Sequence, residues 1–413
     1  MQTEILPEFL DTADGREADA ILRNCVHCGF CTATCPTYQL LGDELDGPRG
    51  RIYQIKSVLE GELPTRVTQL HLDRCLTCRS CETTCPSGVR YARLLDIGRH
   101  LVEERVRRPL FERWLRRVLV FALSHAGRAR ALIGLARLLS PLLPSALRAK
   151  VPRSRPVGHW PRPRGRRRVL VLGGCVQAAA TPATNAAAAR ILDRFGMDLV
   201  EPTGAGCCGA VAHHLDARED AMRAMKRNID AWWPEIASGC EAILVNASAC
   251  GAMVKDYGEL LANDPSYALK AARVSALARD PVELLAGIED LSPLGVSGGG
   301  RRVAFHAPCS LQHGQRIRSV VESILVRCGF VPTQIPDAHL CCGSAGTYSI
   351  TQPGLSLRLR DDKLAALVSG APEVIATANI GCQLHLDAGT EIPVVHWLEL
   401  LDPDRVDPGH SRS

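Results

Sequence analysis

Residues 25–36 read CVHCGFCTATCP and residues 75–86 read CLTCRSCETTCP. Both runs space four cysteines as C-x2-C-x2-C-x3-C and close on a proline. A loop with this spacing curls tightly enough to turn three sulfurs towards one point. The fourth cysteine, three residues further on, is carried past that point. Any reading of the first run therefore has to account for the second.

Composition narrows the chemistry. The chain has 413 residues, enough for two or three ordinary domains, and 18 of them are cysteine. Secreted disulfide scaffolds are short and follow a signal peptide. Here MQTEILPEFLDTADG has neither a basic start nor an apolar core, and no apolar run approaches the roughly 18 residues of a membrane span. The expectation is a cytoplasmic protein with reduced thiols, in which regularly spaced cysteines serve metal or redox chemistry. Charge is unevenly spread. Residues 99–168 hold 19 Lys/Arg against 3 Asp/Glu, while the rest of the chain is acidic. This concentrates a basic docking surface in one segment, for an acidic membrane face or a partner protein; the plainer alternative is a solvated helical face. Little aromatic interleaving and no recognised module argue against nucleic acid.

Cubane iron–sulfur clusters take four thiolates, and in two-cluster ferredoxins the fourth cysteine of each such run ligates the other cluster. That rule assigns cluster I to Cys25, Cys28, Cys31 and Cys85, and cluster II to Cys75, Cys78, Cys81 and Cys35. Cys35 is then expected beside Cys78 rather than Cys28. Pro36 and Pro86 stiffen the turns that aim the crossing cysteines. Gly29 lets the first loop approach its cluster, with Ser80 taken as its nearest counterpart. Structural zinc is the competing reading, but zinc favours paired C-x2-C knuckles or mixed histidine sets. His27 and His71 are expected at the surface or beside the clusters, not as ligands.

Helical periodicity surrounds these loops. EADAILRN precedes the first. Pro48, Ile52, Ile55, Leu59 and Gly61 mark a helix between the runs, and residues 92–107 a helix after them. In FERWLRRVLVFAL, Phe111, Trp114, Leu115, Val118 and Ala122 share a face, with Arg113, Arg116 and Arg117 away from it. RALIGLARLLSPLLPSAL is a second apolar stretch, and VPRSRPVGHWPRPRGRRR reads as a linker.

Beyond the linker the chain repeats itself. RRVLVLGGC (167–175) answers RRVAFHAPC (301–309), GAGCCGA (204–210) answers AHLCCGSAG (338–346), and EAILVNASAC (241–250) answers EVIATANIGC (373–382). Matching cysteines lie 134, 134 and 132 residues apart, which signals two copies of one domain. Short β-branched runs alternating with helical stretches predict a parallel sheet in each copy. Each copy offers four cysteines as a redox or cluster site: Cys175, Cys207, Cys208 and Cys250, then Cys309, Cys341, Cys342 and Cys382. Cys240 and Cys328 lack counterparts and read as buried apolar residues. The fold class is thus a mainly α-helical two-[4Fe–4S] module followed by two tandem α/β cysteine-rich domains. The boundaries are 1–100, a basic helical connector 101–165, then 166–295 and 296–413. The glycines at 298–300 read as a linker, and no dinucleotide fingerprint or Walker motif is found.

The CC-G repeats resemble the cysteine-rich domain of heterodisulfide reductase subunits, whose pattern ends in C-x-x-C. This chain departs from it with Ala247 and Asn379 at the first position of that pair. Preceded by a two-cluster module, the arrangement resembles the iron–sulfur subunits of anaerobic glycerol-3-phosphate dehydrogenase, lactate-utilisation enzymes and, most closely, glycolate oxidase. The stretches that carry this are CVHCGFCTATCPTYQLLGDELDGPRGRIY, HLDRCLTCRSCETTCPSGVRY, AGCCGAV, NIDAWWP, HLCCGSAGTY and TANIGCQ. The resemblance covers nearly the whole chain and is weakest over 105–165. It implies an electron carrier within an oxidoreductase complex. FAD-containing partner subunits oxidise glycolate to glyoxylate, or D-lactate, and this chain passes electrons towards a quinone or another acceptor. The rival classes are a self-contained disulfide or persulfide reductase at the CC-G sites, and a zinc-stapled scaffold.

Overall fold

The computed structural model describes residues 1–142, 151–152 and 156–404. The end of the second apolar stretch and part of the proline–arginine stretch lie outside them. The chain divides into two compact units: Met1–Val118 with His339–Leu359, and Leu119–Ala338 with Arg360–Ser413.

The first unit is helical. The helix before the first loop starts earlier than its apolar pattern suggests, at Ala13, because the Thr12 side chain caps it by accepting from Gly15 N–H; it runs to Asn24. Pro48–Leu59 opens on proline. Arg66–Asp73 is closed by a reciprocal Thr65/Thr68 capping box. Tyr91–Arg105 follows the second loop. Ile21, Leu22, Ile52, Ile55, Leu59, Leu72, Leu94, Leu95 and Ile97 form the common core. Leu110–Leu123 then leads into the second unit. Its aromatic face is not buried: Phe111 and Trp114 are exposed, whereas Arg116 lies 3.2 Å from Asp73 with its side chain largely covered. The buried residues of that helix are Leu119, Val120 and Ala122.

The second unit holds two four-stranded parallel sheets of identical topology. β1 (Arg167–Val171), β2 (Met197–Val200), β3 (Ala242–Leu244) and β4 (Ala278–Arg279) are ordered 2-1-3-4. β5 (Arg302–His306), β6 (Val331–Pro332), β7 (Val374–Thr377) and β8 (Val394–His396) are ordered 6-5-7-8. The short edge strands β4 and β8 carried too few residues for a sequence pattern. In each sheet the chain leaves the first strand in one direction and returns on its other side. The crevice beyond the carboxyl ends of β1 and β3 is therefore a switch point, where α/β sheets open their ligand sites. Cys175 follows β1 and Cys250 follows β3. Cys240 and Cys328 are buried in the cores. Gly298 is no slack linker, since its N–H donates to Cys328 O at 2.7 Å.

Side chains and backbone tie the two repeats together. Ser248 N–H donates to Ala378 O at 3.0 Å, and His396 Nε2 meets Asn246 O at 2.9 Å. Arg190 donates to both carboxylate oxygens of Asp402, at 2.7 and 2.5 Å, and both side chains are almost wholly buried. Asp402→Ala strands a buried guanidinium, so it is expected to cost about 3–5 kcal/mol in urea unfolding. An Arg190→Met/Asp402→Leu pair is expected to recover most of that loss.

Candidate metal centres

The two cysteine loops have one backbone. His27 and Thr77 take φ of +55° and +54°, and Gly29 and Arg79 take +82° and +59°. Gly29 therefore corresponds to Arg79, not to Ser80, which instead opens the short Ser80–Thr84 helix. The left-handed residue after the second cysteine starts a helical turn in both loops. Arg79 adopts this conformation against the usual preference of a residue with a Cβ, at a cost of about 1–2 kcal/mol.

Beside the loops lie two hollows. One is walled by Cys25, Cys28, Cys31 and Cys85. The other is walled by Cys75, Cys78 and Cys35. Cys81 reaches both. Cys35 thus lines one hollow with Cys78, and Cys85 lines the other with Cys25, Cys28 and Cys31. The thiols crowd one another: burial and Cys25 push the Cys31 thiol up to about 11, and burial with Cys78 and Cys75 pushes Cys81 well up. A bound metal removes this penalty by deprotonating its thiol ligands outright. Sulfur-only donors in two sets of four, with helical walls, fit a pair of [4Fe–4S] clusters.

Around the second hollow is a buried polar network that the cysteine spacing gave no sign of. Asp46, fully buried, accepts from Arg74 at 2.7 Å and Arg51 at 3.3 Å, and meets His71 Nδ1 at 3.0 Å. Arg51 also donates to His71 O at 2.7 Å and to Thr37 Oγ1 at 3.2 Å. Thr37 Oγ1 lies 3.3 Å from Cys35 Sγ, and Tyr91 donates its hydroxyl to Cys75 Sγ at 3.6 Å. One sign of this was present: Arg51 shares the helical stripe of Ile55, Val58 and Leu59, a charge in the register of a buried face. His71 is buried in this network against Asp46, and half-buried His27 lines the first hollow.

The first CC-G turn is built in the second unit. Cys175 and Cys207 sulfurs are 3.4 Å apart, and Cys208 is hydrogen-bonded to Cys250. Hydrogen bonds from Cys175, Cys208 and the Gly209 N–H hold the Cys207 thiol well below its usual range. The turn is clamped from outside. Asn228, the first residue of NIDAWWP, donates to Cys207 O at 2.9 Å and accepts from Gly206 N–H at 2.8 Å. Tyr257 donates to Cys208 O at 2.8 Å. All four cysteines of this repeat come together, and Ala247 places a buried methyl where the family pattern has a fifth. Cys309 and Cys382 belong to the second unit, and Asn379 Nδ2 donates to Cys382 Sγ at 3.4 Å. Cys341 and Cys342 belong to the first unit with the rest of His339–Leu359. The same turn recurs there: the residue after the pair, Gly209 or Gly343, has φ of +89° or +84° and its N–H donates to the first cysteine at 3.4 Å. A Cβ on Gly343 would lie 2.5 Å from Ser356 O, so only glycine fits. Within the first unit Tyr348 donates to Arg74 O at 3.0 Å, beside Cys75.

Ligand sharing can be read out by spectroscopy. Cys35→Ser is expected to perturb the same paramagnetic cluster signal as Cys78→Ser, and Cys85→Ser the same signal as Cys28→Ser. Pairing of Cys35 with Cys28 would overturn the crossing.

Comparison with known proteins agrees with this geometry. Residues 21–89 match the 4Fe-4S dicluster domain, and residues 169–255 and 303–387 match the cysteine-rich domain. The chain is 57% identical to the glycolate oxidase iron-sulfur subunit of Escherichia coli K12, over 97% of this chain and 98% of that one. It is 31% identical to a probable glycolate oxidase iron-sulfur subunit of Bacillus subtilis, over 96% of each. It is 25% identical to lactate utilization protein A of Geobacillus kaustophilus, over 52% of this chain and 90% of that one. A hypothetical protein of Helicobacter pylori shares the fold with a TM-score of 0.57 at 10% identity, covering 96% of this chain and 73% of its own. The chain belongs to the family of glycolate oxidase iron-sulfur subunits.

Proposed function

We propose that this chain is the electron-transfer subunit of a glycolate-oxidising complex. The observation that carries the reading is the pair of four-cysteine hollows, set side by side in one helical unit. Bound [4Fe–4S] clusters supply one-electron carriage, which suits the stepwise discharge of a two-electron flavin. The residues of this chain do the rest. Cys25, Cys28, Cys31 and Cys85 hold one cluster, and Cys75, Cys78, Cys81 and Cys35 the other. The helices Pro48–Leu59 and Tyr91–Arg105 exclude water from their inner faces. Oxidation of glycolate to glyoxylate, or of D-lactate, belongs to FAD-containing partner subunits, and the electrons continue to a quinone or another acceptor. The chain purified with its partners is expected to carry about eight iron and eight acid-labile sulfide in its two clusters, with flavin on the partners. Zinc without sulfide would overturn the reading.

The exposed face of Leu110–Leu123 favours a peripheral station on the inner face of the cell membrane. Phe111, Trp114 and Phe121 are each more than half exposed, and Arg128 stacks 3.9 Å from the Phe121 ring. No single described helix is long and apolar enough to cross a membrane. Exposed aromatics beside arginines suit an anionic lipid interface. Co-sedimentation with vesicles containing phosphatidylserine is expected at low salt, weakened several-fold by Trp114→Ala with Phe111→Ala. Absence of binding at low salt would remove the membrane contact.

A further inference from the structure

The two cysteine hollows are alike in sulfur and unlike in charge. Arg49 lines the first. It is more than a third exposed and is matched by Glu44 at 2.6 Å, so solvent screens what the pair leaves over. Arg51 lines the second and is completely buried. Its buried counter-ion Asp46 is shared with the partly exposed Arg74, which leaves two guanidiniums for one carboxylate, with Arg51 the dry one. Guanidinium stays protonated in proteins, so this charge is permanent. Uncharged donors add to it on the same side: Tyr91 hydroxyl and Thr77 N–H both donate to Cys75 Sγ, at 3.6 and 3.4 Å.

Reducing a cluster adds one negative charge. A fixed positive charge in a low-dielectric surround favours that state, as do hydrogen bonds to the sulfurs. Exposure differs as well. In the first loop Cys28 is exposed, with Val26 66% and Phe30 61% exposed; in the second, Leu76 is 5% exposed. The first loop offers an apolar contact surface to an electron donor, and the second does not.

We propose that Arg51 makes the cluster of Cys75, Cys78, Cys81 and Cys35 the electron sink of the pair, so that electrons enter at the exposed first loop and run downhill to the second. This rests on the electron-carrier reading above. Arg51 is a positioning residue for charge and is not a ligand. Asp46 sets how much of that charge is felt.

The test is a potentiometric titration followed by electron paramagnetic resonance on the full-length, cluster-loaded chain. Cys28→Ser and Cys78→Ser assign the two signals. In the unaltered protein the signal assigned by Cys78→Ser is expected to have the higher midpoint. Arg51→Met is expected to lower that midpoint and leave the other in place, while Arg51→Lys retains most of it. Asp46→Asn is expected to move the same midpoint the opposite way. The reversed order of midpoints overturns the proposal. So does an Arg51→Met protein with full iron and sulfide whose midpoints are unmoved, or moved only at the first-loop cluster. Where Arg51→Met fails to load, an Asp46→Asn protein without the upward shift overturns it. An unaltered chain with no cluster signal at all overturns the electron-carrier reading instead.

Discussion

Neither cysteine loop closes its own site. Each presents three sulfurs to a hollow that the other run also walls, through Cys85 and Cys81 for the first and Cys35 for the second. The remaining features of the first unit follow from this exchange. The two loops have to stand side by side, so the helix between the runs and the helix after them pack on one core. The segment between the runs has to turn back, and it does so around a buried carboxylate. Asp46, just before Pro48, gathers Arg51, His71 and Arg74 from both sides of the gap. A buried carboxylate is costly unless paired and hydrogen-bonded; this one is satisfied several times over and pins the second loop to the helix that precedes it.

The second unit solves a different problem with the same residue type. Its sulfurs arrive on separate loops at the carboxyl ends of parallel strands, so the sheet order determines which cysteines meet. A left-handed glycine follows each cysteine pair, and its backbone N–H donates to the first sulfur of the pair. In the first repeat, Asn228 and Tyr257 fix the turn from behind by occupying its carbonyls. NIDAWWP is thus a structural brace for a sulfur site some twenty residues away in sequence. The two repeats share a sheet topology and the same left-handed glycine turn after the cysteine pair.

Charge supplies the contrast that sulfur does not. Two clusters with equal ligands would have no reason to differ in potential. The protein sets the two cysteine hollows in unequal surroundings, one near solvent with a matched ion pair and one beside a dry guanidinium. The basic segment is equally divided in role. Arg108 and Arg116 are drawn into pairs with Asp73, whereas the aromatic side of Leu110–Leu123 remains on the surface. Periodicity reveals that such a helix has two faces; it does not reveal which face is covered, because that depends on carboxylates from elsewhere in the chain.

By itself the sequence determined the cysteine runs, the repeat and its offsets, the main strands and the helices around the loops. These are local: spacing sets which sulfurs a loop can gather, and apolar periodicity sets which segments coil or extend. The cysteine spacing also aligns Arg79 with Gly29 and helical register marks Arg51, whereas tertiary structure alone decided that Asp46 pairs with Arg51, His71 and Arg74 and that β4 and β8 complete the sheets. It also decided that Asn379 turns its amide to Cys382, and that Cys341 and Cys342 belong with the helical unit. The physical reason is common to all of these. A buried carboxylate or a short edge strand is stabilised by partners distant in sequence, and the local pattern around Asp46, β4 and β8 does not carry them.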